Sequence, residues 1–154
     1  MKKQLNTLIL FIATLFTAQV FAHEYTADNI QIDHPWSREA PPNATVIAGF
    51  FQLKNLAEKD DFLISASTPI ADRVEIHTHE MEDGMMKMIK VDNVRLATQE
   101  TVMFKPGGYH LMIFNPNKPY KKGERFPMTL QFKSAGKVEV ELAVEENAHV
   151  HHHH

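Results

Sequence analysis

Cysteine is absent from this chain, and that absence removes several classes of protein at once. No disulfide braces the fold, no thiolate is available for a zinc or blue-copper centre, and no lipidated cysteine can serve as an anchor. Nothing resembles a nucleophile with its base, and no glycine-rich phosphate loop appears, so the sequence carries no sign of an enzyme. Long apolar runs are also lacking: the longest, from Leu8 to Phe16, is too short to demand a permanent membrane span and is soon followed by polar Thr17 and Gln19. Positive charge is scarce. Taking Lys2 and Lys3 away with the leader described next leaves 14 of the 16 lysines and arginines against 19 acids, a formal charge of −5 with neutral histidine, which argues against nucleic acid as a partner.

What is present starts with a leader. Residues 1–22 combine a basic start, the short apolar run and a small-residue end at Val20, Phe21 and Ala22, the pattern of a secretory signal peptide. Removing those 22 of 154 residues leaves 132, enough for one core and one domain, assigned to residues 23–146. The last residues, 147–154, are polar and histidine-rich and read as a flexible tail.

Between leader and tail the chain alternates in short strands separated by Pro, Gly, Asn and Asp clusters, and no stretch holds a 3.6-residue period. The expected fold class is all-β. Nine strands are predicted: 30–36, 46–53, 61–66, 73–79, 85–91, 101–104, 109–114, 126–132 and 137–144, a number and spacing that fit a sandwich. The last is the clearest, with Val138, Val140, Leu142 and Val144 on one face and Lys137, Glu139 and Glu141 on the other. Trp36, Phe50 or Phe51, Phe62 and Leu130 are expected to fill the core.

Ten histidines and eight methionines are the compositional oddity. In the strand Tyr109-His110-Leu111-Met112-Ile113, alternation puts Leu111 and Ile113 on one face and His110 and Met112 on the other, about 7 Å apart. In Val74-Glu75-Ile76-His77-Thr78-His79 the same logic turns His77 and His79 outward. A hairpin turn at Asp83-Gly84 then folds Met85-Met86-Lys87-Met88 back along that strand. Register decides which side chains meet. A two-residue loop sets Met88 opposite His79; a four-residue loop from Met81 to Gly84 sets it opposite His77. Taken singly, a methionine usually fills a core and a strand histidine is usually a surface polar group; the joint pattern points to a metal.

Thioether sulfur is a soft, neutral donor that binds hard cations poorly and suits Cu(I), while imidazole accepts both copper oxidation states. Since thioethers neither protonate nor form disulfides, such a site works in an oxidising compartment and releases its ion by ligand exchange. That suits a carrier.

His77, ten residues, Met88, twenty-one residues, then His110-x-Met112 resembles the signature of the periplasmic copper chaperones called PCu(A)C. Lys105-Pro106-Gly107-Gly108-Tyr109, and Ala40-Pro41-Pro42-Asn43-Ala44 through Ala48-Gly49-Phe50, also look like that family, over essentially the whole mature domain. The resemblance implies a cupredoxin-like Greek-key β-sandwich that binds Cu(I) through His77, Met88, His110 and Met112. It implies delivery toward the binuclear copper centre of cytochrome c oxidase, by way of an oxidase subunit or another copper chaperone, from a monomer in the periplasm. It also implies His77 rather than His79 as ligand, which favours the longer loop. Thr78 follows His77 where the family's signature allows an optional methionine. His79, Met81, Met85 and Met86 lie close enough to be secondary or transfer ligands.

The two ends offer further donors. Cleavage after Ala22 would expose His23, whose amine and imidazole together chelate Cu(II); His149, His151, His152, His153 and His154 would also favour Cu(II). The competing readings are a copper scavenger without a dedicated acceptor, a copper enzyme or electron carrier built on His23, and a scaffold sandwich with no metal affinity.

Overall fold

Eleven strands make up the described part of the chain, residues 24–146 of a computed structural model. They are β1 (Glu24–Ala27), β2 (Ile30–Arg38), β3 (Val46–Asn55), β4 (Asp61–Ser67), β5 (Arg73–Glu82), β6 (Met85–Val91), β7 (Val94–Leu96), β8 (Thr101–Phe104), β9 (His110–Phe114), β10 (Arg125–Phe132) and β11 (Gly136–Glu145). Their hydrogen-bonded order is β6-β5-β9-β3-β2-β11-β10-β4-β7, with β1 added to β2 and β8 to β3. All pairs are antiparallel except β2 with β11. The fold is the expected all-β, cupredoxin-like sandwich. Among the described residues no helix is long and apolar enough to cross a membrane. The leader, His23 and the tail lie outside those residues.

All nine predicted strands are present, with ends moved by a few residues, and two were not anticipated. β1 reads Glu-Tyr-Thr-Ala and is too short and polar to show a pattern, while β7 is only Val-Arg-Leu, although Val94 and Leu96 are buried. The core is built from the inward residues of nearly every strand, including Ile32, Phe51, Leu53, Leu63, Phe104, Leu111, Ile113, Phe126, Leu130, Phe132 and Leu142. Apolar alternation creates this face, and its burial drives the sheet to curl on itself. Two buried polar side chains are fully engaged. Asp61 accepts bonds from the amides of Phe62, Ser134 and Ala135, and Asn55 donates to the carbonyls of Lys59 and Leu96.

Of the expected core fillers, Phe51 and Leu130 are buried within it, but Trp36 and Phe62 are only half-buried. The reason for Trp36 lies in a bulge. In β2, Asp33 pairs with Gln52 and Trp36 with Phe50, so His34 and Pro35 together oppose the single residue Phe51. His34 takes φ 46°, and the alternation begun by inward Ile30 and Ile32 reverses phase. Ser37 then points inward and Trp36 outward, its ring tilted 37° against that of Phe50 with centroids 4.7 Å apart.

The β5–β6 hairpin corrects a second expectation. Glu82 pairs with Met85, so the loop is the two residues Asp83 and Gly84, both at positive φ (51° and 75°), as a type I′ turn requires. The longer loop favoured by the resemblance does not form. Asp83-Gly84 is the dipeptide that closes the tighter turn, and strand pairing continues up to it. Met88 therefore sits opposite His79, and His77 opposite Lys90.

Candidate metal centre

Strand β9 lies between β5 and β3, and its register determines what gathers over it. His110 pairs with His77, and Met112 pairs with Glu75 on one side and Ala48 on the other. Residues directly opposite in a ladder share a face. Glu75, His77, His79, Met88, His110 and Met112 thus occupy the same outer face, with Ile76, Leu111 and Ile113 on the inner one. His77 enters the group across β9 instead of across the hairpin.

The turn before β9 sets the chemistry of His110. Gly107, at φ 83°, lets the chain reverse so that the Gly108 amide donates to the Lys105 carbonyl at 2.9 Å and the Lys105 amide to the Tyr109 carbonyl at 2.9 Å. The Gly108 carbonyl then lies 2.9 Å from His110 Nδ1. A carbonyl only accepts, so Nδ1 carries the hydrogen and Nε2 the bare lone pair. That lone pair points at the Met88 sulfur, 3.4 Å away. Thioether sulfur is itself an acceptor, so with the hydrogen on Nδ1 no hydrogen bond joins the two, and the nitrogen and sulfur donors stand side by side at van der Waals contact. A proton is disfavoured there. Burial pushes His110 below histidine's ordinary 6.5, nearby His79 and His77 act the same way, and the Gly108 bond opposes this only in part. The pair is thus a neutral nitrogen beside a neutral sulfur, the donor types that suit a soft cation.

His77 is oriented by the same logic with a different partner. Its Nε2 donates to Glu75 Oε2 at 2.8 Å, which leaves Nδ1 as the lone pair; that atom is buried and has no partner among the described residues. Glu75 stays ionised, held below the usual carboxylate range first by the His77 bond and then by Arg73, whose Nε donates at 3.1 Å. A carboxylate behind a histidine is the common support of metal-binding imidazoles. His79 Nδ1 is likewise buried and unpartnered, and its ring lies 5.4 Å from that of His110, against 6.0 Å for His77. Met112 is half-buried beside Glu75, and Met88 is 49% exposed.

Of the residues singled out in the sequence, the structure thus brings His77, Met88, His110 and Met112 to one face, with the His79 ring nearer to that of His110 than the His77 ring is. Met86 lies further along the same face, two residues from Met88. Met85 pairs with Glu82 and faces the other way. Glu75 and the Gly108 carbonyl were not anticipated as parts of the site. The Glu-x-His spacing carried the first, since i and i+2 share a strand face, whereas a backbone carbonyl leaves no residue-level signal. Among the described residues no three His, Asp or Glu side chains are placed to hold an ion by themselves; the group becomes a ligand set only with methionine sulfur.

Fold and cluster together define a small cupredoxin-like domain with a soft-metal face. The family model described as "Putative lipoprotein LpqE-like" matches residues 30–144. An uncharacterised protein of Rickettsia prowazekii, RP573, is 31% identical over 102 residues, which cover 64% of this chain and 56% of that protein. The copper-bound PCuAC domain from PmoF2 superposes with a TM-score of 0.70 at 29% identity, over 80% of this chain and 98% of that one. Apo-DR1885 from Deinococcus radiodurans shares the fold, with a TM-score of 0.61 at 22% identity over 96% and 98% of the two chains. The chain belongs to this LpqE-like family, the PCu(A)C domains.

Proposed function

We propose that this protein is a periplasmic Cu(I) chaperone whose cargo is held by His77, Met88, His110 and Met112. The observation that carries the reading is the unprotonated His110 Nε2 facing the Met88 sulfur at 3.4 Å, a soft donor pair with no proton to share. The copper-bound relative at 29% identity supports it. His110 is buried and fixed by a carbonyl, so it is the ligand that stays. Met88 is half-exposed on an edge strand, so it is the ligand that leaves when an acceptor offers its own. No bond of a substrate is made or broken; the product is a transferred ion.

The leader supports export to the periplasm, and the copper centre of cytochrome c oxidase, reached directly or through another chaperone, is the proposed destination. The test is X-ray absorption of the protein loaded anaerobically with one equivalent of Cu(I), followed by mixing with a soluble oxidase copper domain. Two nitrogen and two sulfur scatterers and transfer of the ion are expected. No retained Cu(I), or a shell without sulfur, would overturn the reading.

Protons and Cu(I) compete for His110 Nε2, which gives the site a pH dependence of defined sign. Because the folded protein holds this imidazole below 6.5, the neutral form predominates at that pH and increasingly above it. Cu(I) affinity is expected to be insensitive to His110 protonation above that value and to fall as acid reaches the lowered value. The same shift makes the apo fold lose stability as pH drops below about 6.5 through the folded value. Urea midpoints of wild type and His110→Gln across pH 5–8 check this: the acid-side decline should shrink in the variant.

A further inference from the structure

Three exposed methionines sit beyond the four proposed ligands on the β5–β6 hairpin: Met81 at 65%, Met85 at 62% and Met86 at 63% exposure. Register separates them. Met81 pairs with Met86, and His79 with Met88, on the face that carries His110. Met85 pairs with Glu82, and Glu80 with Lys87, on the reverse, where Lys87 is bonded to Glu82 at 2.5 Å. In a hairpin closed by a two-residue loop the pair flanking the loop is the hydrogen-bonded one. The Met81–Met86 and His79–Met88 pairs therefore fall at non-hydrogen-bonded positions, with Cα atoms about 4.5 Å apart and side chains at their closest.

Neither Met81 nor Met86 packs against the core, so filling space is not their role. Between them and His110 stands His79, with a buried Nδ1 that nothing among the described residues satisfies. The only cationic side chain of β6 on this face, Lys90, leans to Glu75 at 3.9 Å, away from the hairpin end. Two thioethers face to face, an unpartnered imidazole one pair further along and no nearby cation make a soft-cation position with fewer and more exposed donors than the first.

We propose that Met81, Met86 and His79 form a second, weaker Cu(I) position at the hairpin end, adjacent to the first, so that the chain accommodates two Cu(I). This rests on the copper reading above and adds an outer position from which an ion enters or leaves.

The full chain labelled with [ε-13C]methionine and titrated anaerobically with Cu(I) alone tests it residue by residue. The methyl signals of Met88 and Met112 should move with the first equivalent and those of Met81 and Met86 with the second. Met81→Leu/Met86→Leu should keep the first event and lose one equivalent of uptake against a weak competitor, with the tail unchanged in both proteins. Shifts of Met88 and Met112 with Met81 and Met86 unmoved through two equivalents would overturn the second position. So would movement of all four with the first equivalent and no further change. If no methionine moves, the copper reading itself fails, and the second position with it.

Discussion

Alanine at His110 is expected to lower Cu(I) affinity by about a thousandfold or more, since loss of an outer-shell partner alone costs roughly 10–100-fold and this change removes the ligand. The buried imidazole is the one donor whose lone pair is aimed by a backbone carbonyl, so no other side chain replaces it without moving β9. Glu75→Gln makes the informative contrast. The amide can still accept from His77 Nε2, but it loses the charge that favours the metal-binding tautomer, so affinity should fall by roughly tenfold. Competition with a chromogenic Cu(I) chelator measures both. Equal affinities for wild type and His110→Ala would remove His110 from the site.

Leu111→Ala is the second large effect. Leu111 is fully buried, pairs with Ile76 and lies 3.4 Å from where a β-carbon at Gly49 would stand. Its side chain points into the core from the strand that carries His110 and Met112 on its other face. Truncation leaves a cavity that β-sheet backbone cannot close, at a cost of about 2–5 kcal/mol, a large share of the 5–15 kcal/mol typical of a domain. Urea unfolding of the apo protein measures the loss, and a change below about 1 kcal/mol would show that the core relaxes around the gap. Added Cu(I) should return part of the stability by mass action, because the proposed ligands converge only in the folded state.

These two neighbours show why much of the molecule was legible from sequence. A strand sends alternate residues to opposite faces, so Leu111 as core and His110 with Met112 as donors follow from one period. The same rule located His77 and His79 on a common face and made the strand Lys137 to Val144 unambiguous. Register was a different matter. It depends on how many residues a turn consumes, and both loop lengths keep His77 and His79 on the correct face, so periodicity could not choose between them. The family resemblance, by implying His77 as the ligand, favoured the longer loop, and the Asp83-Gly84 turn formed the shorter one. His77 still joins the group because β9 supplies its second neighbour, a long-range pairing that no local pattern reveals. The bulge at His34 and Pro35 escaped for a related reason: one extra residue reverses the phase of everything after it, and Trp36 moved from the expected core to the outer face.

Strand β11 has a consequence for timing. It lies between β2 and β10, and in the hydrogen-bonded order it is the only strand joining β6-β5-β9-β3-β2 to β10-β4-β7. It is also the last strand among the described residues, Gly136–Glu145. A polypeptide appearing from its N-terminus can form local hairpins such as β5–β6, but the two halves have no shared ladder until the ten residues of β11 arrive. Emergence of the whole domain therefore precedes closure of the sandwich, and a chain halted anywhere before Gly136 leaves the facing edges of β2 and β10 open to other strands.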